Sequence, residues 1–232
     1  MKTLKEIEQN LEIFEKIFGF KIQNSEQGSG LWLQTKLGVI SASNAHKAVS
    51  KKDSDKRWTY LYELVAQIAS GVTEEINSKY LDYGAEHESA ARALYELHTK
   101  KTITPVAFIF KDESFRCGAS PDGIIEGQHG LELKVPYTPV NYAKFLCAGN
   151  IDTDYQWQCQ FSMWVTDSES WHFAMFSPVF KVKPIKIVTV EKDAEKQKVL
   201  SDLIPQFISD MDMELKKIGL EFGQQWSRLG EK

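Results

Sequence analysis

In SPDGIIEGQHGLELK, residues 120–134, an aspartate stands beside a proline, and a glutamate and a lysine follow one residue apart. Charged residues are rarely fully buried unless they are paired or bind metal, yet the segment around Asp122, Glu132 and Lys134 otherwise reads as buried β-structure. Along LELKV the side chains alternate faces, so Glu132 and Lys134 share one face while Leu131, Leu133 and Val135 supply a core surface on the other. The turn EGQHG returns the chain from GIIE, so a hairpin can bring Asp122 beside Glu132 and Lys134. Two carboxylates with a backbone carbonyl, such as that of Leu133, suit Mg²⁺ or Mn²⁺, which prefer oxygen ligands and retain waters. Such an ion lowers the pKa of a bound water and stabilises charge on a phosphate, and a nearby lysine can orient that water. The chemistry expected of this set is phosphodiester hydrolysis. The plainer alternatives are a turn aspartate before Gly123, an exposed strand glutamate, and a lysine in a cross-strand ion pair.

The elements that must position these groups are legible in outline. Leu4, Ile7, Leu11, Phe14 and Phe18 recur at helical spacing and predict an amphipathic helix ended by Gly19. NSEQGSG, 24–30, reads as a loop, and SASNAHKAV, 41–49, as a helix start with serines suited to an N-cap. KKDSDKR, 51–57, reads as an exposed basic loop, and helices are expected over WTYLYELVAQIASG and over 79–99. ITPVAFIF, FRCGASPD, GIIE, LELKV, SWHFAMFSP and KIVTVE predict strands. Helices are expected over 138–148 and 154–165, and a long C-terminal helix should be kinked or divided at Pro205. The order predicts one α/β domain, a mixed central sheet flanked by helices.

The chain has 232 residues, enough for a single domain with a real core, and a net charge of −4. That balance argues against coating nucleic acid through bulk positive charge, but not against confining basic residues to one channel. No apolar run approaches a membrane span, and no secretory leader is visible at the N-terminus. The three cysteines, Cys117, Cys147 and Cys159, form no CxxC pair, which argues against a disulfide framework or an iron–sulfur site and for a cytoplasmic setting. The five histidines lack paired ligand spacing, and none is assigned a role.

Pro121, Asp122, Glu132 and Lys134 reproduce the PD-(D/E)xK nuclease motif. With LGVISAS, YGAEHESAARALYE, KDESFRCGASPDG, GLELKVPYT, QCQFSMWVT and EFGQQW in that order, the chain resembles the lambda-type exonucleases of the YqaJ viral-recombinase family over roughly residues 26–226. The short motif alone is common by chance; the ordered set is specific. The resemblance implies a restriction-endonuclease-like core over 26–226 with an extra N-terminal helical extension, 1–25. It implies Mg²⁺-dependent 5′-to-3′ digestion of linear double-stranded DNA, with one or two ions per site and Mn²⁺ able to substitute. It further implies release of 5′-mononucleotides, a 3′ overhang for phage recombination, a toroidal homotrimer around the DNA, and a single-strand annealing protein as partner.

By the same resemblance Asp122, Glu132, the Leu133 carbonyl and Glu88 are metal ligands, Lys134 is the catalytic lysine, Gln160 lies beside the site and Asp112 supports it. Glu88 can instead pair with Arg92 four residues on, and Asp112 can be a turn residue. Lys36 stands where the family has an arginine that binds the terminal 5′-phosphate; a lysine offers a point charge in place of a planar fork. Trp32 corresponds to a tryptophan at the DNA end. Ser41 and Ser43 bind the phosphate or cap a helix, and Arg57, in the basic loop with Lys51, Lys52 and Lys56, reaches toward DNA or belongs to a solvated face. The competing readings are a PD-(D/E)xK endonuclease and a non-catalytic DNA-binding recombination scaffold.

Overall fold

The structure is a computed structural model that describes residues 1–19, 22, 27–72, 79–125 and 127–227. Residues 23–26, at the boundary between the N-terminal extension and the core, and Glu126, which opens the expected EGQHG turn, lie outside the described residues. The first helix, α1 (Leu4–Phe18), begins at a capping box in which Thr3 and Glu6 satisfy each other's backbone N–H, and it ends at Gly19 in the left-handed conformation, φ 78°. Its buried residues Ile7, Leu11 and Phe14 belong to the largest core cluster. Phe14 lies 5.0 Å from Phe110, 5.1 Å from Phe115 and 4.8 Å from Trp226, centroid to centroid. The helix outside the family-like core thus joins the β-hairpin and the C-terminus into one apolar cluster.

The chain continues through α2 (Gly30–Thr35), β1 (Ile40–Ser41), a 3₁₀ turn (Ala42–Asn44), α3 (Ala45–Ala48), α4 (Asp55–Ser70) and α5 (Lys79–Thr99). Then come β2 (Ile109–Phe110), β3 (Cys117–Ala119), β4 (Gly123–Ile125) and β5 (His129–Lys134). Helices α6 (Pro139–Ala148) and α7 (Thr153–Thr166) precede β6 (Ser170–Phe176) and β7 (Ile185–Glu191), and α8 (Ala194–Lys217) and α9 (Gln224–Ser227) close the described chain. The architecture is mixed α/β with mixed sheets flanked by helices, as the sequence predicts. The expected central sheet is divided in two: three strands in the order β1-β3-β2, and four in the order β4-β5-β6-β7. The expected strand over 103–110 shrinks to β2 and one isolated bridge, Thr104 to Ile124. Pro105 lies between them and has no N–H to give a ladder. At the other end, α8 runs unbroken through Pro205, with no division there.

In the four-stranded sheet β5 pairs antiparallel with β4 and parallel with β6. A parallel connection needs a crossover, and here α6 and α7 supply it. They pack through Tyr142, Phe145, Cys159 and Met163 against Trp171, Phe173 and Met175 of β6. Helix α5 covers the opposite face, where Ala91 and Tyr95 meet Leu131 and Leu133. Strand β5 is therefore enclosed on both faces, and Gly130 is required there: a Cβ would stand 2.1 Å from the Trp171 ring. No helix among the described residues is long and apolar enough to cross a membrane.

Two histidines that sequence spacing keeps apart meet on the α5 side of this sheet. The rings of His129 and His172 stack at 3.7 Å, and the Tyr95 hydroxyl lies 2.6 Å from His172 Nδ1 and 3.4 Å from His129 Nε2. Burial, followed by His172 and Lys101 for His129 and by Lys101 for His172, pushes each pKa down to about 4. Between there and the ordinary histidine value the unfolded chain binds more protons than the folded one, so stability falls as pH drops through that window. The thermal midpoint of the wild type should fall from pH 7 to pH 4.5 more steeply than that of a His129→Asn/His172→Gln variant; parallel curves would contradict this assignment.

Candidate active site

The strand pair β4–β5 builds the centre. Its register sets Gly123 opposite Leu131, so Asp122, one residue outside the ladder, comes level with Glu132. The Asp122 N–H donates to the Leu131 carbonyl at 3.0 Å, and its carboxylate accepts the Leu133 N–H at 2.5 Å. Glu132 is 4% exposed, and its Oε1 lies 2.5 Å from Lys134 Nζ, which also stands 5.0 Å from the centre of the Tyr155 ring on α7. The structure therefore brings Asp122, Glu132 and Lys134 together, and the period of β5 turns Glu132 and Lys134 away from Leu131 and Leu133.

Electrostatics follow from that crowding. Burial and then the Glu132 charge push the Asp122 carboxyl well above the usual carboxylate range, against the opposing pull of Lys134 and the Leu133 N–H. Burial alone would lower the Lys134 pKa, but Glu132 and Asp122 reverse this and raise it. Cys159 on α7 is buried close enough for its thiol to be pushed up by burial and by the Glu132 charge. With both carboxylates ionised, one negative charge is left beyond that of Lys134, and burial disfavours it. A hard divalent cation is the natural counter-charge for that set, and Asp122, Glu132 and the Leu133 carbonyl supply oxygen of the right kind.

Glu88 on α5 lines the same cavity, of about 890 Å³, as Asp122, Leu133 and Lys134, and its charge adds to the rise at Asp122. Its carboxylate also accepts from Arg92 at 2.7 Å, the i,i+4 pair that the sequence allows. Among the described residues no three His, Cys, Asp or Glu side chains are drawn together as a ligand cluster: Asp122 and Glu132 form a pair, and Glu88 is engaged by Arg92. A second cavity of about 880 Å³, on the α1 side, shares Glu88 and Asp122 with the first.

Trp32 lines the first cavity, its indole N–H donating to the Ala107 carbonyl at 3.0 Å and to Ser120 Oγ at 2.9 Å. Lys36, at the end of α2, places its ammonium 3.6 Å from the centre of the Trp32 ring, and burial brings its pKa down to about 8. Ser41 and Ser43 lie farther along β1 and the 3₁₀ turn, with their hydroxyls 3.3 Å apart. Ser41 holds the cap position of that turn without making a capping hydrogen bond, and neither serine lines the cavity with Asp122.

Three expected residues lie elsewhere. Arg57 does not reach outward: it is 3% exposed and pairs with Asp210 of α8 at 2.6 Å. Ser54 caps α4, so Arg57 falls in the first turn on the side facing α8; its exposed basic neighbours are Lys51, Lys52 and Lys56. Asp112 sits in the β2–β3 turn, accepting from the Ser114 N–H at 3.0 Å. The hairpin register, Ile109 with Ala119 and Phe110 with Gly118, puts Asp112 and Asp122 at opposite ends of that ladder. Gln160 is used inside the fold: its amide donates to the Glu191 carbonyl at 2.8 Å, and its oxygen accepts from the Asp193 N–H at 3.0 Å. The glutamine on the Tyr155 side of α7 is the buried Gln158, three residues on. QCQ held both candidates, and only Tyr155 and the helical phase could have chosen between them.

Removing one partner of a buried ion pair leaves an uncompensated charge and costs about 3–5 kcal/mol. Arg57→Ala should therefore lower the unfolding free energy by about that amount in chemical denaturation, and an unchanged value would contradict the buried pairing.

Comparison with known proteins bears on the family and the fold. Residues 31–169, more than half of the chain, match the YqaJ-like viral recombinase domain. An alkaline exonuclease from Laribacter hongkongensis, LHK-Exo, solved in complex with dAMP, superposes with a TM-score of 0.76 at 24% identity over 82% of this chain and 96% of that one. A phage-related exonuclease from Haemophilus somnus 129PT superposes at 0.63 with 14% identity, over 78% and 96%. The Escherichia coli K12 protein ExoD is 37% identical over 76 residues, 33% of this chain and 87% of that one. The solved structures establish the fold, the restriction-endonuclease-like α/β core of the alkaline exonucleases, and the domain match establishes more: the chain belongs to the YqaJ-like viral recombinase family.

Proposed function

We propose that the protein is a Mg²⁺-dependent exonuclease that digests linear double-stranded DNA from the 5′ end, releases 5′-mononucleotides and leaves a 3′ overhang for recombination by strand annealing. The observation that carries this reading is the meeting of Asp122, Glu132 and Lys134 at the β4–β5 pair, with Glu132 buried and Asp122 and Lys134 lining one cavity. A complex of LHK-Exo with dAMP, a mononucleotide, agrees with the product class. Asp122, Glu132, the Leu133 carbonyl and, on release from Arg92, Glu88 would hold the ion or ions, with Mn²⁺ a substitute. The bound cation supplies an activated water and charge stabilisation at the phosphate. Lys134 orients the attacking water and supports its deprotonated form, and its raised pKa keeps the ammonium charged at neutral pH.

The Lys36 ammonium, paired with no carboxylate among the described residues and stacked on Trp32, suits a terminal 5′-phosphate, with Ser41 and Ser43 as further hydroxyl donors. A terminal phosphate carries more charge than an internal diester, so one half-buried cation can favour it. Assembly as a toroidal homotrimer and handover of the overhang to a single-strand annealing protein complete the proposal.

Asp122→Asn, Glu132→Gln and Lys134→Ala should each lower nucleotide release from linear duplex by about 10³-fold or more, with far-ultraviolet circular dichroism unchanged; near-normal release from any one removes that residue from the catalytic set. Closed circular duplex should survive; its cleavage would favour the endonuclease reading. Lys36→Ala should reduce the ratio of rates on 5′-phosphorylated and 5′-hydroxyl ends by about tenfold, and an unchanged ratio would rule out that role.

A further inference from the structure

We infer that Tyr137, braced by Tyr83, is a stacking surface that positions a base of the strand whose phosphodiester lies at Asp122, Glu132 and Lys134. The inference rests on the nuclease reading above. Tyr137 follows Lys134 by three residues, and three residues of extended chain span at most about 10 Å. It lines the cavity that holds Asp122 and Lys134, and 43% of it is exposed. The ring does not float: its centroid is 5.4 Å from that of Tyr83 on α5, at 79°, and Tyr83 is held edge-on by His87 at 4.4 Å and 82°. Aromatic contacts of this kind fix ring orientation. The three rings span from α5 to the connection between β5 and α6, and Tyr137 is the one of them that lines the cavity.

An exposed, oriented ring beside a phosphodiester-cleaving centre has the chemistry of a nucleobase platform. Stacking on an aromatic ring tolerates any base, because every base has a π-face, and this suits an enzyme that must advance through arbitrary sequence. The residues beyond Tyr137 continue the track. Asn141 and Lys144, three residues apart on α6 and so on one face of it, line the same cavity. Lys144 has no carboxylate partner among the described residues. The path thus runs from the carboxylates to a ring for a base and then to an amide and an ammonium for the backbone. Tyr137 acts by limiting rotation of the nucleotide, so it is a positioning residue and leaves the bond-breaking groups untouched.

The test pairs a protein change with a substrate change. Wild type, Tyr137→Phe and Tyr137→Leu are given linear duplexes that are intact or carry an abasic residue at either of the two nucleotides nearest the 5′ end. Tyr137→Phe should stay within about twofold of wild type, and Tyr137→Leu, which keeps apolar bulk but no π-face, should lose about tenfold in kcat/KM. The abasic substrate should cost wild type a similar factor and cost Tyr137→Leu nothing further. Losses that multiply, or a Leu variant as active as wild type with the same unfolding midpoint, would overturn the inference. A 5′ end carrying 2-aminopurine, bound in EDTA, separates this inference from the nuclease reading. Fluorescence quenching by wild type that is lost in Tyr137→Leu supports the platform even where no nucleotide is released, and equal fluorescence in both sinks it.

Discussion

Two carboxylates held side by side under cover repel one another, and burial penalises the charge of each. At Asp122 both effects act together and drive its pKa upward, while Lys134 and the Leu133 N–H pull the other way. The pair persists because the register of β4 and β5 leaves it no room to separate: Asp122 is tied at its N–H to Leu131 and at its carboxylate to Leu133. The rest of the site follows from this constraint. One lysine offsets one negative charge, and under the function proposed above a divalent cation would offset the other.

The fold exists around β5 in a way that keeps this strain local. Leu131 and Leu133 anchor one face beneath α5, and Phe173 and Met175 of β6 back the other beneath α6 and α7. Each neighbouring helix contributes one kind of group to the cavity: Glu88 from α5, Tyr155 from α7, Asn141 and Lys144 from α6, Trp32 from α2. Helix α1 lies outside the matched domain, yet its Phe14 packs against Phe110, Phe115 and Trp226, so it stiffens the second sheet, whose strand β3 leads directly to Asp122.

Much of this was legible in the sequence because it depends on period and on turn chemistry. The alternation of LELKV separates Glu132 and Lys134 from the leucines whatever the surroundings, and Gly19 and Gly71 end α1 and α4 as their conformational freedom allows. The features that escaped depend on which way a helix is rotated in its final packing. Arg57 stands in a basic run, but the phase of α4 turns it inward to Asp210. Gln158 and Gln160 are two residues apart on α7, and only the packed fold shows that Gln160 is taken up by the Glu191 carbonyl and the Asp193 N–H. Asp112 lies in the β2–β3 turn and Asp122 just beyond β3, and only the hairpin's register places them at opposite ends of its ladder. His129 and His172 have no ligand spacing, yet the parallel pairing of β5 with β6 stacks them.

The central claim is that Asp122 and Glu132 together form a cation-binding centre on β4 and β5, and the most direct measurement is Mn²⁺ binding followed by electron paramagnetic resonance in the absence of DNA turnover. The wild-type protein should take up one or two Mn²⁺ ions, and both Asp122→Asn and Glu132→Gln should lose that uptake while remaining folded. Undiminished Mn²⁺ binding in either variant would contradict the account.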